Sequence, residues 1–228
     1  MMNTMHTTLR TLTTAVLTVV LLAGCAAGGT TMPKDAAGRT QAEVSKLSLH
    51  QEYNAYGDHY THMQQLLKDA QLQVHDGEWE WNGGDRLVLA GGNGVAPLEG
   101  SDTKNSYDMA TSRLWSPPGA TGAKRDLDPM IDYFESKGWK TSIRTIGDSH
   151  DVRGVTGDGW QVLYMVQPSG RYAIDVYSES FWTNDGDALS EAVGERNDSN
   201  YPDASLPGDY PAFPSWDSPI VSPPKFNP

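Results

Sequence analysis

The chain has 228 residues, one cysteine, seven tryptophans and a formal net charge of −12 at neutral pH. That acidic balance argues against nucleic acid, whose binding depends on Lys and Arg neutralising phosphates, and it sets the folded part against anionic lipid headgroups. A single cysteine leaves no intramolecular disulfide, so stability must come from an ordinary core.

Residues 12–23 (LTTAVLTVVLLA) form an apolar run of twelve, preceded by Arg10 as the only basic side chain and followed by small residues. A helix needs about 20 apolar residues to cross a bilayer core of roughly 30 Å, so the run has the layout of a secretory signal peptide instead of a span. It ends in Leu22-Ala23-Gly24-Cys25, and Cys25 is the sole cysteine. This tetrad resembles the lipobox of bacterial lipoproteins. The resemblance implies cleavage after Gly24 and a thioether-linked diacylglycerol on Cys25, with palmitate-like acyl chains. Two chains at about 0.8 kcal/mol per buried methylene hold a soluble domain stably where one does not. The expected address is the extracytoplasmic face of the cell membrane. Residues 1–24 are then signal peptide, and 25–38 a lipidated cysteine with a flexible, small-residue tether.

From 39 to 74 the pattern is helical. Leu49, Tyr53, Tyr56, Tyr60, Met63, Leu67, Ala70 and Val74 recur at alternating spacings of four and three, an apolar seam on one helix face. Three tyrosines and a methionine suit packing on the domain's own sheet better than a tight coiled coil. Gly57 interrupts the seam at a cost of roughly 1 kcal/mol relative to Ala.

Between 76 and 124, Trp79-Glu80-Trp81 and Arg86-Leu87-Val88-Leu89 read as short strands, Gly91-Gly92-Asn93-Gly94 as a loop, and 107–115 as a further strand. Asp128-Pro129 then supplies a helix start, with an acceptor at the cap and proline at the first position. Met130, Ile131 and Phe134 share a face, and Gly138 is placed to cap the end. Four strand-like runs follow. In the first, Trp139, Thr141, Ile143 and Thr145 alternate with polar residues. The second covers 151–156, Trp160, Val162, Tyr164 and Val166 mark one face of the third, and Tyr172, Ile174 and Val176 mark the fourth. Short turns at 157–159 and 168–170 imply antiparallel neighbours. The expected class is α+β: a long N-terminal helix, plus a helix packed on an antiparallel β-meander.

This order, with Gly138-Trp139, Asp158-Gly159 and Ser178-Glu179-Ser180 at its corners, resembles the C-terminal half of small lipoproteins of actinobacterial type. The resemblance spans about 55 residues and implies a fold. Those relatives often carry a cysteine where Ser180 stands here. From 183 to 228 there are eight acidic and two basic side chains, and eight of the fourteen prolines follow Asn200. That composition predicts a disordered acidic, Pro-rich tail, leaving one globular domain over 39–182.

Chemical motifs are sparse. His59 with His62, three apart, and Asp58 with His62, four apart, can pair on a helix face, but no further ligand is legible, so no metal and no cofactor is expected. Ser149-His150-Asp151 has triad residue types without triad geometry, since adjacent residues cannot relay to one another. Gly91–Gly94 lacks a GKS/T ending. Paired carboxylates at Glu78/Glu80, Asp126/Asp128 and Asp185/Asp187 are expected by chance in so acidic a chain. Asn184-Asp185-Gly186-Asp187 lacks the calcium-loop spacing. Trp79 and Trp81 point to one face of a strand and offer a stacking platform for sugar or peptide. With no catalytic constellation, the expected function is a non-catalytic binding module of the cell envelope. Its partners are the membrane, through the anchor, and an envelope protein or glycan. The alternatives are an envelope hydrolase whose site is assembled from distant residues, and a passive structural lipoprotein.

Overall fold

Tyrosines spaced three and four apart along one helix position much of the molecule. The computed structural model describes residues 32–85, 87–92, 98–197 and 200–221; Gly24, Cys25 and the whole signal peptide lie outside them. Two capping boxes start the helical region, Thr40 with Glu43 for α1 (Gln41–Val44) and Ser48 with Gln51 for α2 (Leu49–Val74). The single expected helix is therefore two, because Ser48 opens a new first turn. Tyr53, Tyr56, Tyr60, Met63, Leu67 and Ala70 are buried, as the spacing predicts. The structure also explains the tyrosines. Tyr53 donates to the Pro214 carbonyl at 2.9 Å, Tyr56 to that of Leu87 at 2.8 Å and Tyr60 to that of Pro211 at 3.0 Å. Leucine at these positions would bury the same face and leave three carbonyls without those donors.

The chain continues through β1 (Trp79–Trp81), β2 (Leu89–Ala90), β3 (Ser106–Asp108) and β4 (Ala110–Trp115). A 3₁₀ turn then leads into α3 (Asp128–Ser136), followed by β5 (Lys140–Ile146), β6 (Ser149–Val155), β7 (Trp160–Val166) and β8 (Tyr172–Ser178). Last come β9 (Phe181–Trp182), α4 (Gly186–Arg196) and β10 (Ala204–Ser205). Among the described residues these strands form an antiparallel sheet in the order β10-β1-β4-β8-β7-β6-β5 and a smaller one, β2-β3-β9. The α+β class and the helix-then-meander order are as expected.

One face of the large sheet, carrying Val162, Tyr164, Ile174 and Val176, packs under α2 and α3. At Gly154 a Cβ would sit 2.7 Å from Phe134 Cγ, so glycine lets α3 settle on β6. Asp128 does not cap α3 as expected. The cap position is Leu127, with no side-chain bond, because the chain arrives already coiled in the 3₁₀ turn. Gly138 does close the helix, at φ 68°. The stretch 107–115 is two strands, β3 and β4, and the expected strand at 86–89 is replaced by Leu89–Ala90; Arg86 lies outside the described residues.

Both ends of the domain extend beyond 39–182. At the N-terminal side Lys34 bridges Thr40, and the buried Asp35 carboxylate accepts from Ala37 N, Arg39 N and Trp182 N. Residues 34–38 are thus fixed on the domain and are not free tether. The expected disordered tail is corrected over 183–197 and 200–221. Asp185 caps α4, whose Leu189 and Val193 are buried, and β10 pairs with β1. A Pro-rich strap over 208–216 then runs antiparallel to α2, with Tyr210 against Tyr60, Phe213 among Tyr53, Tyr56 and Tyr60, and Trp216 on Tyr53 and His50. Prolines suit such an extended segment because they lack the N–H that would need a partner. A Cβ on Gly57 would come within 2.8 Å of Phe213 Cδ1, so the helix-weakening glycine makes room for the strap.

Candidate functional site

The face of the sheet turned away from α2 carries the candidate site. Register places Arg153 on β6 opposite Leu163 on β7, Leu163 opposite Asp175 on β8, and Asp175 opposite Ser112 on β4. These four side chains form one row across four strands. Tyr177, two residues on from Asp175, lies in the next row between Gln161 and Ala110. The segment after β1 closes one side, with Leu87 and Leu89 as an apolar wall. The result is a groove of about 550 Å³, in the size range of small-molecule sites.

Three contacts hold that wall. The Asp85 carboxylate turns into the core, where one oxygen accepts from Gln64 Nε2 (2.6 Å), Arg113 Nη2 (2.8 Å) and Thr111 Oγ1 (3.1 Å). Tyr56 holds the Leu87 carbonyl, and β2 pairs with β3. On the floor, Leu163 is buried, and Asn82 Nδ2 donates to Ser112 Oγ at 3.2 Å.

Two polar side chains of the groove, Arg153 and Tyr177, lack an ion-pair or hydrogen-bond partner among the described residues, whereas Asn82, Thr111, Ser112 and Asp175 each have one. The Arg153 guanidinium forms no ion pair and lies 5.6 Å from the centre of the Tyr177 ring. Burial pushes the Asp175 carboxyl above the usual range, and Ser112 partly offsets it. The buried Tyr177 hydroxyl has no protein partner; burial pushes its pKa up, against Arg153 and Arg144. Among the described residues the charged members of the lining are Arg153 and Asp175.

The groove is not where the sequence placed a platform. Trp79 and Trp81 do share a strand face, but β1 lies inside the sheet between β10 and β4 and that face looks into the core. Trp79 is fully buried against Trp115 and His75. Trp81 is covered by the Arg113 guanidinium, 3.4 Å from the ring centroid, and donates to Ser205 Oγ at 2.9 Å. The platform reading is corrected: both rings serve packing.

Other candidates resolve into structural parts. Among the described residues no group of three or more His, Cys, Asp or Glu is placed to hold a metal ion. His59 stacks on Phe181 at 4.0 Å and shares a 3.0 Å hydrogen bond with Tyr107, while His62 points to Asp158 at the surface. Ser149-His150-Asp151 is the start of β6. Alternation sends His150 to Thr145 and Asp151 to Arg144, on opposite faces. Asp126 accepts from Tyr172 Oη. Asp185 accepts from the backbone of Asp187 and Ala188, and Asn184 bonds Glu52 and the Val44 and Leu47 carbonyls. The calcium-like string is therefore a helix cap locked to the domain. Gly91 donates to the Ser106 carbonyl, whereas Asn93 and Gly94 lie outside the described residues.

His59 carries a pH signature. Burial foremost, then the charges of Arg39 and His62, lowers its pKa to about 3. The unfolded chain, with histidine near 6.5, takes up the proton first. Stability from this group is complete above about pH 6.5 and is lost as the pH falls toward 3, at up to about 1.4 kcal/mol per pH unit. His59→Phe, which keeps the stack on Phe181, should flatten the urea-midpoint profile in that window. An unchanged acid slope in the variant would place its source in other groups.

No protein-family model, curated protein or solved structure matches the chain. Fold and groove together define an α+β domain with a ligand-sized, charged depression on the outer face of its sheet.

Proposed function

We propose that the chain is a lipid-anchored, extracytoplasmic lipoprotein of the cell membrane whose domain is a non-catalytic binding module for an envelope component, using the outer-face groove. The observation that carries the anchor is Leu22-Ala23-Gly24-Cys25 at the end of a twelve-residue apolar run, with no other cysteine in the chain. Binding is supported by the Arg153 guanidinium, which has no ion pair, and the half-buried Asp175 carboxylate on either side of the apolar Leu163 floor. A polar group half removed from water and lacking a partner is a group whose pairing a ligand can improve. No helix among the described residues is long and apolar enough to cross a membrane, which leaves membrane retention in this reading to the acyl chains.

Metabolic labelling tests the anchor. In bacteria producing the full chain and fed an alkyne-bearing fatty acid, the protein should take up label and sediment with membranes. Cys25→Ser should abolish the label and leave the uncleaved precursor. Unlabelled wild-type protein would overturn the assignment.

A further inference from the structure

The pattern of charge in the groove is specific enough to name a ligand class. We infer that the groove binds a zwitterion of dipeptide size, its ammonium against Asp175, its carboxylate against Arg153 and its aliphatic side chains over Leu163. This rests on the reading of the domain as a binding module and gives that module a ligand.

The spacing follows from register. Arg153 and Asp175 stand two strands apart with Leu163 between them, so their backbones are separated by about 9.5 Å. An extended dipeptide places its termini about 6–7 Å apart. The remainder matches the short reach of Asp175 on one side and a folded-over Arg153 on the other. The two charges do not neutralise each other, since no ion pair joins them and the guanidinium leans on the Tyr177 ring instead.

Selectivity comes from that separation. A ligand bearing only a cation would satisfy Asp175 and strand Arg153 under its bulk. One bearing only an anion would do the reverse. Each covers a partly buried charge with no opposite charge to meet it, which costs more than a missing apolar contact. The wall residues Leu87 and Leu89 are about half exposed and are free to cover aliphatic side chains. The Tyr177 ring lines the groove in the neighbouring row and adds apolar surface beside the ligand. The volume, about 550 Å³, leaves room for side chains beyond the two termini.

The test is calorimetric titration of the full-length protein in detergent micelles with leucyl-leucine, leucyl-alanine and alanyl-leucine, each also N-acetylated and C-amidated. At least one free dipeptide should bind, and each cap should weaken it by on the order of tenfold or more, the loss of one charge-assisted contact. In Asp175→Asn the N-acetyl penalty should vanish while the amide penalty remains, and Arg153→Gln should show the converse; thermal unfolding of both variants confirms that they fold. Because capping acts on the ligand, the result does not depend on the variants. No heat from any free dipeptide, or binding indifferent to both caps, would overturn the inference. Labelling at Cys25 reads independently of either result, so failure of the ligand class and failure of the anchored assignment are told apart.

Discussion

Asp85→Ala should cost about 3–5 kcal/mol of folding stability, read as a lower urea midpoint at unchanged slope. Arg113 is almost completely buried beneath Trp81, and its Nη2 lies 2.8 Å from Asp85 Oδ2. Its other acceptors, Thr111 Oγ1 and the Ser112 carbonyl, are neutral. Burial pulls the guanidinium's pKa down and the Asp85 charge holds it up, so removing the carboxylate leaves a buried cation with burial unopposed. Gln64 and Thr111 lose an acceptor in the same step. The paired replacement Asp85→Leu with Arg113→Met should recover most of the loss, because an apolar pair of similar volume carries no desolvation cost. Asp85→Ala within 1 kcal/mol of wild type would show that the cation finds another anion or reaches water. The same carboxylate anchors the wall of the groove, so Asp85→Ala should also lose dipeptide binding.

Truncation after Trp182 should abolish cooperative unfolding altogether. The cut falls where composition alone would end the domain, yet it removes α4, β10 and the strap. Glu52, buried on α2, accepts from Thr183 Oγ1, Asn184 N and Asn184 Nδ2. Without them a carboxylate remains in a core with no donor, an error worth several kcal/mol by itself. Leu189 and Val193 are lost from the core, and the face of Tyr53, Tyr56 and Tyr60 loses Phe213 and its two carbonyl acceptors. Together these exceed the 5–15 kcal/mol that holds an ordinary domain. A truncated chain with a sharp urea transition and native near-ultraviolet dichroism would show that the C-terminal segment is an accessory.

The long helix and the meander were legible because their signals are local and repeated. The Tyr53–Ala70 seam holds one spacing over five turns, and Trp160 to Val166 and Tyr172 to Val176 alternate without a break. The tail was misread because composition averages over a segment, whereas docking depends on a few positions. Tyr210, Phe213 and Trp216 supply the contacts, and the prolines between them hold the extended shape they need. Trp79 and Trp81 were assigned one common face correctly, but period-two patterning does not say which face looks inward; that is set by the register with β4, which aligns Trp81 with Arg113 and, beyond it, the core residue Ile174. The groove had no signal of its own. Arg153, Leu163, Asp175 and Ser112 become neighbours only through the register of four strands, and an isolated Arg or Asp on a strand looks like ordinary surface.

The strap also dictates when the molecule can mature. A chain emerging N-terminus first, from a ribosome or across a membrane, presents α2 early, but the carbonyl that receives Tyr53 lies 161 residues downstream. The edge partner of β1 is likewise far away, at Ala204 and Ser205. Contacts of such sequence separation close late and slow folding. An exposed tyrosine face and a half-paired strand must therefore persist until the segment from Ala204 to Pro214 is free, which makes the nascent chain a client for holding factors during that interval.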